Sequence, residues 1–298
     1  MTSQALHVRE ITAAAWLHRT GNQTDRAHLQ STAILFISKQ TVGNALMISA
    51  DLNGKCVLVT GGLSGIGLSA VKTFGACGAR VAVNHLPNDP TAKQVLDELD
   101  QDGYLIVSAP GDVSDPDQTE TMVEQAIETL GRLDVLINNA GTSNTRTPIA
   151  FDDLEAMSEA FWAKIMQTNL IGAFRCARAA SPALRSAKGA IVSTASVAGL
   201  GVPGSSIAYG ASKAGLINLT RSLAHALAPD VRVNAVAPGL VRTPWTDPWP
   251  DERKAQTIAN CLLDRMVEPE EISATMLFLA CNPAITGQTV AVDCGRTS

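Results

Sequence analysis

Tyr209 and Lys213 stand four residues apart in the run Ala208-Tyr-Gly-Ala-Ser-Lys-Ala-Gly215, and Ser196 precedes them in Ser193-Thr-Ala-Ser-Val-Ala-Gly199. On a helix, positions i and i+4 share a face, so this spacing sets an ammonium beside a phenol. A free phenol has a pKa of about 10, and nearby positive charge favours its ionised form. Such a phenol can give or take a proton, and a serine hydroxyl on the loop before it could hold the reacting oxygen in place. An i,i+4 pair is also an ordinary feature of an amphipathic helix surface, so the chemistry needs a second signal.

That signal is Thr60-Gly61-Gly62-Leu63-Ser64-Gly65-Ile66-Gly67. It follows a short apolar run and opens a periodic segment, the context of a strand-to-helix turn. Glycines there allow a tight turn and close backbone approach to phosphate, and the helix N-terminus offers N–H groups and positive potential. The spacing is G-x-x-x-G-x-G, not the commoner G-x-G-x-x-G. A dinucleotide loop followed by a tuned tyrosine points to nicotinamide-dependent redox chemistry.

From Lys55 onward, short apolar runs alternate with longer periodic segments, the pattern of βαβ units in an α/β, doubly wound parallel sheet of the Rossmann type. Strands are expected over 56–59, 80–84, 105–108, 135–138, 190–193, 232–236 and 289–292. Helices are expected to include 65–77, 116–130, 159–180, 207–228 and 270–280. The net charge of −5 carries no basic stripe, which argues against nucleic acid as a partner. Six dispersed cysteines without C-x-x-C spacing argue against a metal site and a disulfide framework, and fit a reduced, cytoplasmic protein. No run of about 18 apolar residues is present, so no membrane span is expected. Residues 1–50 lack this patterning and read as an N-terminal extension ahead of a single catalytic domain, 51–298. Met47 is a candidate true start.

Taken in order, Thr60 to Gly67, Asp112-Val113, Asn138-Asn-Ala-Gly141, Asn169, Ser196, Tyr209 with Lys213, and Pro238-Gly239 followed by Val241-Arg-Thr243 resemble the motif set of the short-chain dehydrogenase/reductase family, in its compact form. The resemblance spans about Leu52 to Gly295. It implies a sheet of about seven strands with NAD or NADP bound at the carboxyl ends, and interconversion of a secondary alcohol and a ketone. It assigns Gly61, Ser64, Gly65, Ile66 and Gly67 to the pyrophosphate, Asp112 and Val113 to the adenine, and Asn139 to the turn closing over the cofactor. Pro238, Gly239, Val241 and Thr243 would line the nicotinamide. Tyr209 becomes the acid/base, Lys213 its partner and a ribose contact, Ser196 the substrate anchor, and Asn169 the holder of a water leading from Lys213 to solvent.

The cofactor choice rests on the end of the second strand, where an acid would favour NAD and a nearby arginine or lysine would favour NADP. This chain has Asn84 and His85, which leave NAD and NADP open. The segment after Thr243 carries Trp245 and Trp249, which serve either an apolar substrate or lid packing. A 3-oxoacyl thioester reductase and a non-catalytic dinucleotide sensor are the competing readings. Presence of both Tyr209 and Lys213 weighs against the sensor. The family resemblance implies a homotetramer or homodimer acting on a small-molecule alcohol or ketone.

Overall fold

The computed structural model describes residues 35–37 and 48–298. The expected extension over 1–50 and its boundary at Met47 lie almost wholly outside the described residues. Within that range β1 (Leu35–Ile37) and β2 (Ile48–Ala50) form an antiparallel pair, with Leu35 opposite Ala50.

Seven parallel strands form the central sheet: β3 (Cys56–Val59), β4 (Arg80–His85), β5 (Ile106–Pro110), β6 (Val135–Asn138), β7 (Ala190–Thr194), β8 (Arg232–Pro238) and β9 (Thr289–Val292), in the order β5-β4-β3-β6-β7-β8-β9. The chain moves outward one way from β3 and then returns to build the other half from β6. The reversal leaves a crevice beyond the carboxyl ends of β3 and β6.

Alternation along the strands explains the two layers of helices. Val57, Val59, Val81, Val83, Val135 and Ile137 point to the face covered by α1 (Gly65–Ala76) and α8 (Pro269–Cys281), where Phe74 and Met276 are wholly buried. Cys56, Leu58, Ala82, Leu136, Ile191 and Val233 point to the other face, against α3 (Pro116–Leu130), α5 (Ala173–Ala187) and α6 (Ile207–Leu227). Each large side chain removed from water in this way contributes about 1.5–3 kcal/mol before entropy is counted.

Local signals set the helix ends. Asp115 caps α3 by accepting from the N–H groups of Asp117 (3.0 Å) and Gln118 (2.9 Å), with Pro116 in the first turn and Gly131 left-handed at the far end. Glu268 and Glu271 form a reciprocal capping box around Pro269 at the start of α8.

One expected helix differs in kind. The segment expected as a helix over 159–180 is α4 (Glu159–Met166), a π-helical turn (Gln167–Gly172) and α5, continuing to Ala187. The wider turn lets Asn169 reach Thr142 while Gly172 lies against the Val113 carbonyl, where a Cβ would stand 2.7 Å from the oxygen. Two further helices, α2 (Ala92–Gln101) and α7 (Asp251–Ile258), were not among those expected. The first is short and charged, with only Ala92 and Leu99 buried, and the second buries no residue.

Candidate active site

The crevice opens into a cleft of ≈ 320 Å³. Gly61, Ser64, Gly65, Ile66, Asn139, Ser196, Tyr209, Lys213, Pro238, Gly239, Val241 and Thr243 all line it. Gly67, Asn84, His85, Asp112, Val113 and Asn169 lie outside its lining.

The glycine turn is shaped by necessity. Gly61 and Gly65 have φ of +63° and +50°, and a Cβ on Gly67 would stand 2.0 Å from the Gly61 oxygen. Thr60 Oγ1 accepts from the N–H groups of Asn139 (2.9 Å) and Ala140 (3.0 Å), while Asn139 Nδ2 donates to the Thr60 and Gly61 carbonyls, each at 3.1 Å. These bonds tie the turn after β3 to the turn after β6. Ser64 caps α1 without a side-chain bond, so the first-turn amides of α1 have no side-chain cap beside the cleft. A pyrophosphate fits this cradle, which admits no Cβ and presents N–H groups at a positive helix end.

Asn84 takes a position different from the expected cofactor contact. Its Oδ1 accepts from Gly61 N at 3.1 Å, and its Nδ2 donates to the Ala109 (3.0 Å) and Gly111 (2.9 Å) carbonyls. The side chain is a buried strut beneath the glycine turn. His85 is engaged at both ring nitrogens, Nδ1 with the Leu86 carbonyl and Nε2 with Ser108 Oγ, each at 2.8 Å. A carbonyl can only accept, so Nδ1 donates to Leu86. Asp112 borders a separate hollow with Leu86, Asp89 and Gln118 at the ends of β4 and β5. Its carboxyl is lowered from the usual range because hydrogen bonds from Ser114 and the nearby Lys164 ammonium outweigh its burial. Val113 is buried beneath that hollow's edge and anchors Thr119 through its carbonyl.

Ser206 caps α6 by accepting from Tyr209 N at 3.1 Å, which fixes Tyr209 in the first turn. Lys213, one turn on, donates from Nζ to the Thr194 carbonyl at 2.6 Å and lies 5.7 Å from the Tyr209 ring centre. Ser196 caps the short 3-10 turn Val197–Leu200 by accepting from Ala198 N at 3.1 Å, and its hydroxyl lies near that of Tyr209, where it favours the ionised phenol. Asn169 accepts from Thr142 N at 2.7 Å and donates to the Thr142 carbonyl (3.0 Å) and Ser212 Oγ (3.1 Å). Ser212 in turn donates to the Tyr209 carbonyl at 2.8 Å. The Asn169 side chain thus braces the back of α6, and its amide has little capacity left for a water.

Burial shifts both groups in the protein's own environment. It pushes Tyr209 up to about 12, opposed by the Ser196 hydroxyl, and brings Lys213 down to about 8. Tyr209 is therefore held as a neutral phenol at physiological pH.

Thr60, Thr194, Ser212 and Arg296 are site residues that the motifs did not single out. The first three act through backbone bonds, for which threonine and serine have no distinctive spacing. Arg296 lies far beyond the last motif, which ends at Thr243, and has no pattern of its own.

A parallel sheet with a glycine cradle at its switch point and a tyrosine, lysine and serine converging below it defines a dinucleotide-dependent oxidoreductase. Residues 61–297 match a family model described as enoyl-(acyl carrier protein) reductase. The chain is 38% identical to a 3-oxoacyl-[acyl-carrier-protein] reductase of Staphylococcus aureus over 246 residues, covering 81% of this chain and 97% of the relative. It is 37% identical to meso-2,3-butanediol dehydrogenase of Serratia marcescens over 249 residues, covering 83% and 96%. The crystal structure of a short-chain dehydrogenase from Burkholderia cenocepacia in complex with NADP superposes with a TM-score of 0.74 at 30% identity, covering 83% of this chain and all of that one. The chain belongs to the short-chain dehydrogenase/reductase family, and is an NAD(P)-dependent oxidoreductase that interconverts alcohols and carbonyl compounds.

Proposed function

We propose that this protein works as a carbonyl reductase, and in reverse as an alcohol dehydrogenase, with Tyr209 exchanging the proton, Ser196 holding the substrate oxygen, and Lys213 and Asn169 positioning the tyrosine helix. The observation that carries this reading is the convergence of Ser196, Tyr209 and Lys213 on one cleft with the glycine turn, the Lys213 ammonium lying 5.7 Å from the Tyr209 ring centre. When bound, the cofactor supplies the hydride that reaches the carbonyl carbon. Tyr209 delivers its hydroxyl proton to the carbonyl oxygen, the C=O double bond becomes a C–O single bond, and an alcohol leaves. The phenolate so formed lies beside Lys213, whose proton then carries stabilising charge at the moment it is needed. Gly61, Ser64, Gly65 and Ile66 bind the pyrophosphate, with Gly67 allowing the close turn. Asn139, Pro238, Gly239, Val241 and Thr243 flank the nicotinamide side, and Asp112 and Val113 the adenine side.

A titration of the full-length protein with NADH and NADPH by fluorescence, followed by ketone turnover, tests this reading. Tyr209→Phe should retain cofactor binding within a few-fold and lose turnover by at least about 10²–10⁴, the usual contribution of a positioned acid. Comparable turnover in that variant would remove Tyr209 from the mechanism.

The named relatives act on 3-oxoacyl-[acyl-carrier-protein] and on 2,3-butanediol, and either ketone class is compatible with the chemistry of Tyr209. No helix among the described residues is long and apolar enough to cross a membrane. A cytoplasmic enzyme is supported by six free thiols. A homotetramer or homodimer is supported by Phe174 and Ile207, exposed apolar residues on α5 and α6. Residues 51–298 form the catalytic domain in this reading.

A further inference from the structure

We infer that the carbonyl substrate carries a carboxylate, held by Arg253 and Arg296, which line the same cleft as Tyr209; this rests on the reductase reading above. The chain has 28 acidic residues against 23 lysines and arginines, yet among the described residues no Asp or Glu lines the cleft. Its charged lining groups are Lys213, Arg253 and Arg296. Lys213 is bonded to Thr194, but the Arg296 side chain has no hydrogen-bond or ion-pair partner among the described residues, and its Nε is buried. A guanidinium N–H withdrawn from water without an acceptor is costly, and an anionic ligand removes that cost.

Arg253 is similarly available. Its Nη2 donates to the Gly204 carbonyl at 3.2 Å, and its guanidinium lies 5.7 Å from the Trp249 ring centre, with no carboxylate in ion-pair range. The neighbouring cations are already matched, Arg242 to Glu268 at 3.1 Å and Lys254 to Asp251 at 3.5 Å. Ser205 Oγ lines the same wall and is buried without a partner.

Both arginines line the cleft that holds Tyr209, and Arg253 is tied to a neighbour of the tyrosine ring. A Cβ on Gly204, which holds Arg253, would stand 3.2 Å from Tyr209 Cδ1. The turn carrying Arg296 packs on Gly239, where a Cβ would lie 2.8 Å from Asp293 Cα. Asp293 does not neutralise Arg296, because its carboxylate accepts from the N–H groups of Gly295 (3.0 Å) and Thr297 (2.9 Å) and from the Thr297 hydroxyl (2.7 Å). Planar guanidinium forks suit a carboxylate. A carrier-borne thioester would instead present its phosphate to an exposed basic patch, which a buried Nε does not provide.

The test uses acetoacetate and 4-oxopentanoate against their methyl esters and an N-acetylcysteamine 3-oxoacyl thioester, with whichever cofactor binds. The acids should exceed their esters in kcat/KM by about 10- to 100-fold, the range of a charge-assisted hydrogen bond. That ratio should collapse towards parity in Arg296→Met and in Arg253→Gln, with Arg296→Lys retaining part of it. Quenching of tryptophan fluorescence by the same ligands reads binding independently of turnover and should show the same preference. Parity of acid and ester in the wild type, by either readout, overturns the inference, as does preference for the thioester or an unchanged ratio in both arginine variants. Turnover of the esters alone would reject the carboxylate while leaving the reductase reading intact. Failure to bind NADH or NADPH would reject the reductase reading, with the quenching comparison still deciding the arginine pair.

Discussion

Replacing Asn84 separates two roles that the same position could serve. If it faced a ribose, Asn84→Asp would create an NAD preference; as a strut it has a different consequence. Asn84 is 2% exposed and satisfies three backbone groups, Gly61 N–H and the Ala109 and Gly111 carbonyls. At about 1 kcal/mol for each group left unpaired, Asn84→Ala loses about 3 kcal/mol. For a domain of this size that lowers Tm by roughly 6–12 °C. Asn84→Asp keeps an acceptor for Gly61 but turns a buried carboxylate towards two carbonyl oxygens, which raises its pKa in the folded state. The folded protein then binds the proton more tightly than the unfolded one, so the penalty is present above the folded pKa and is relieved as pH falls through it. Melts at pH 5 and pH 8, with NADH and NADPH titrations, measure both effects. Both cofactors should weaken together as the Gly61 turn loosens. An Asp variant that melts within about 2 °C of wild type and gains tenfold selectivity for NADH would refute the strut.

Gly67→Ala should abolish cofactor binding, because its Cβ would stand 2.0 Å from the Gly61 oxygen and 2.6 Å from Asn139 Nδ2; retained affinity in a fluorescence titration would contradict the packing. Alcohol oxidation needs the Tyr209 phenolate, and with its pKa pushed up to about 12, the oxidation rate should rise about tenfold per pH unit from pH 7, with the slope easing above about 8 as Lys213 loses its proton. Ketone reduction uses the neutral phenol and should stay level across pH 6–8 in the same steady-state assays. Bound cofactor charge moves the midpoints without changing these signs. Intact-mass measurement of the natively expressed protein decides between Met47 as the start and an accessory or targeting arm before it: a mass that includes residues before Met47 ends the start-site reading.

The sheet was legible because its signal is physical and repeated. A strand such as Cys56–Val59, covered on both faces, reads as an unbroken apolar run, and its ends matched to the residue. Tyr209, Lys213 and Ser196 were legible because their spacing is the chemistry. Asn84 was misjudged in its orientation, since a strand end reveals which residue sits there but not whether its amide turns up to the ligand or sideways to Gly61. Arg253 and Arg296 come from α7 and the C-terminal turn, 43 positions apart, and nothing local links them. The tyrosine's high pKa also escaped the sequence, because desolvation depends on the packed environment and no i,i+4 rule contains it.

The π-helical turn at Gln167–Gly172 constrains how this protein can be redesigned. An engineer idealising the scaffold would delete one residue there to restore a regular α-helix. That deletion would shift everything on one side of it by about 1.5 Å along the axis and about 100° around it. Asn169 would then swing off Thr142 and Ser212, and Gly172 would rotate away from the Val113 carbonyl. The irregular turn works as a phase adjuster between two helical gears, and smoothing it would disengage the brace behind Tyr209.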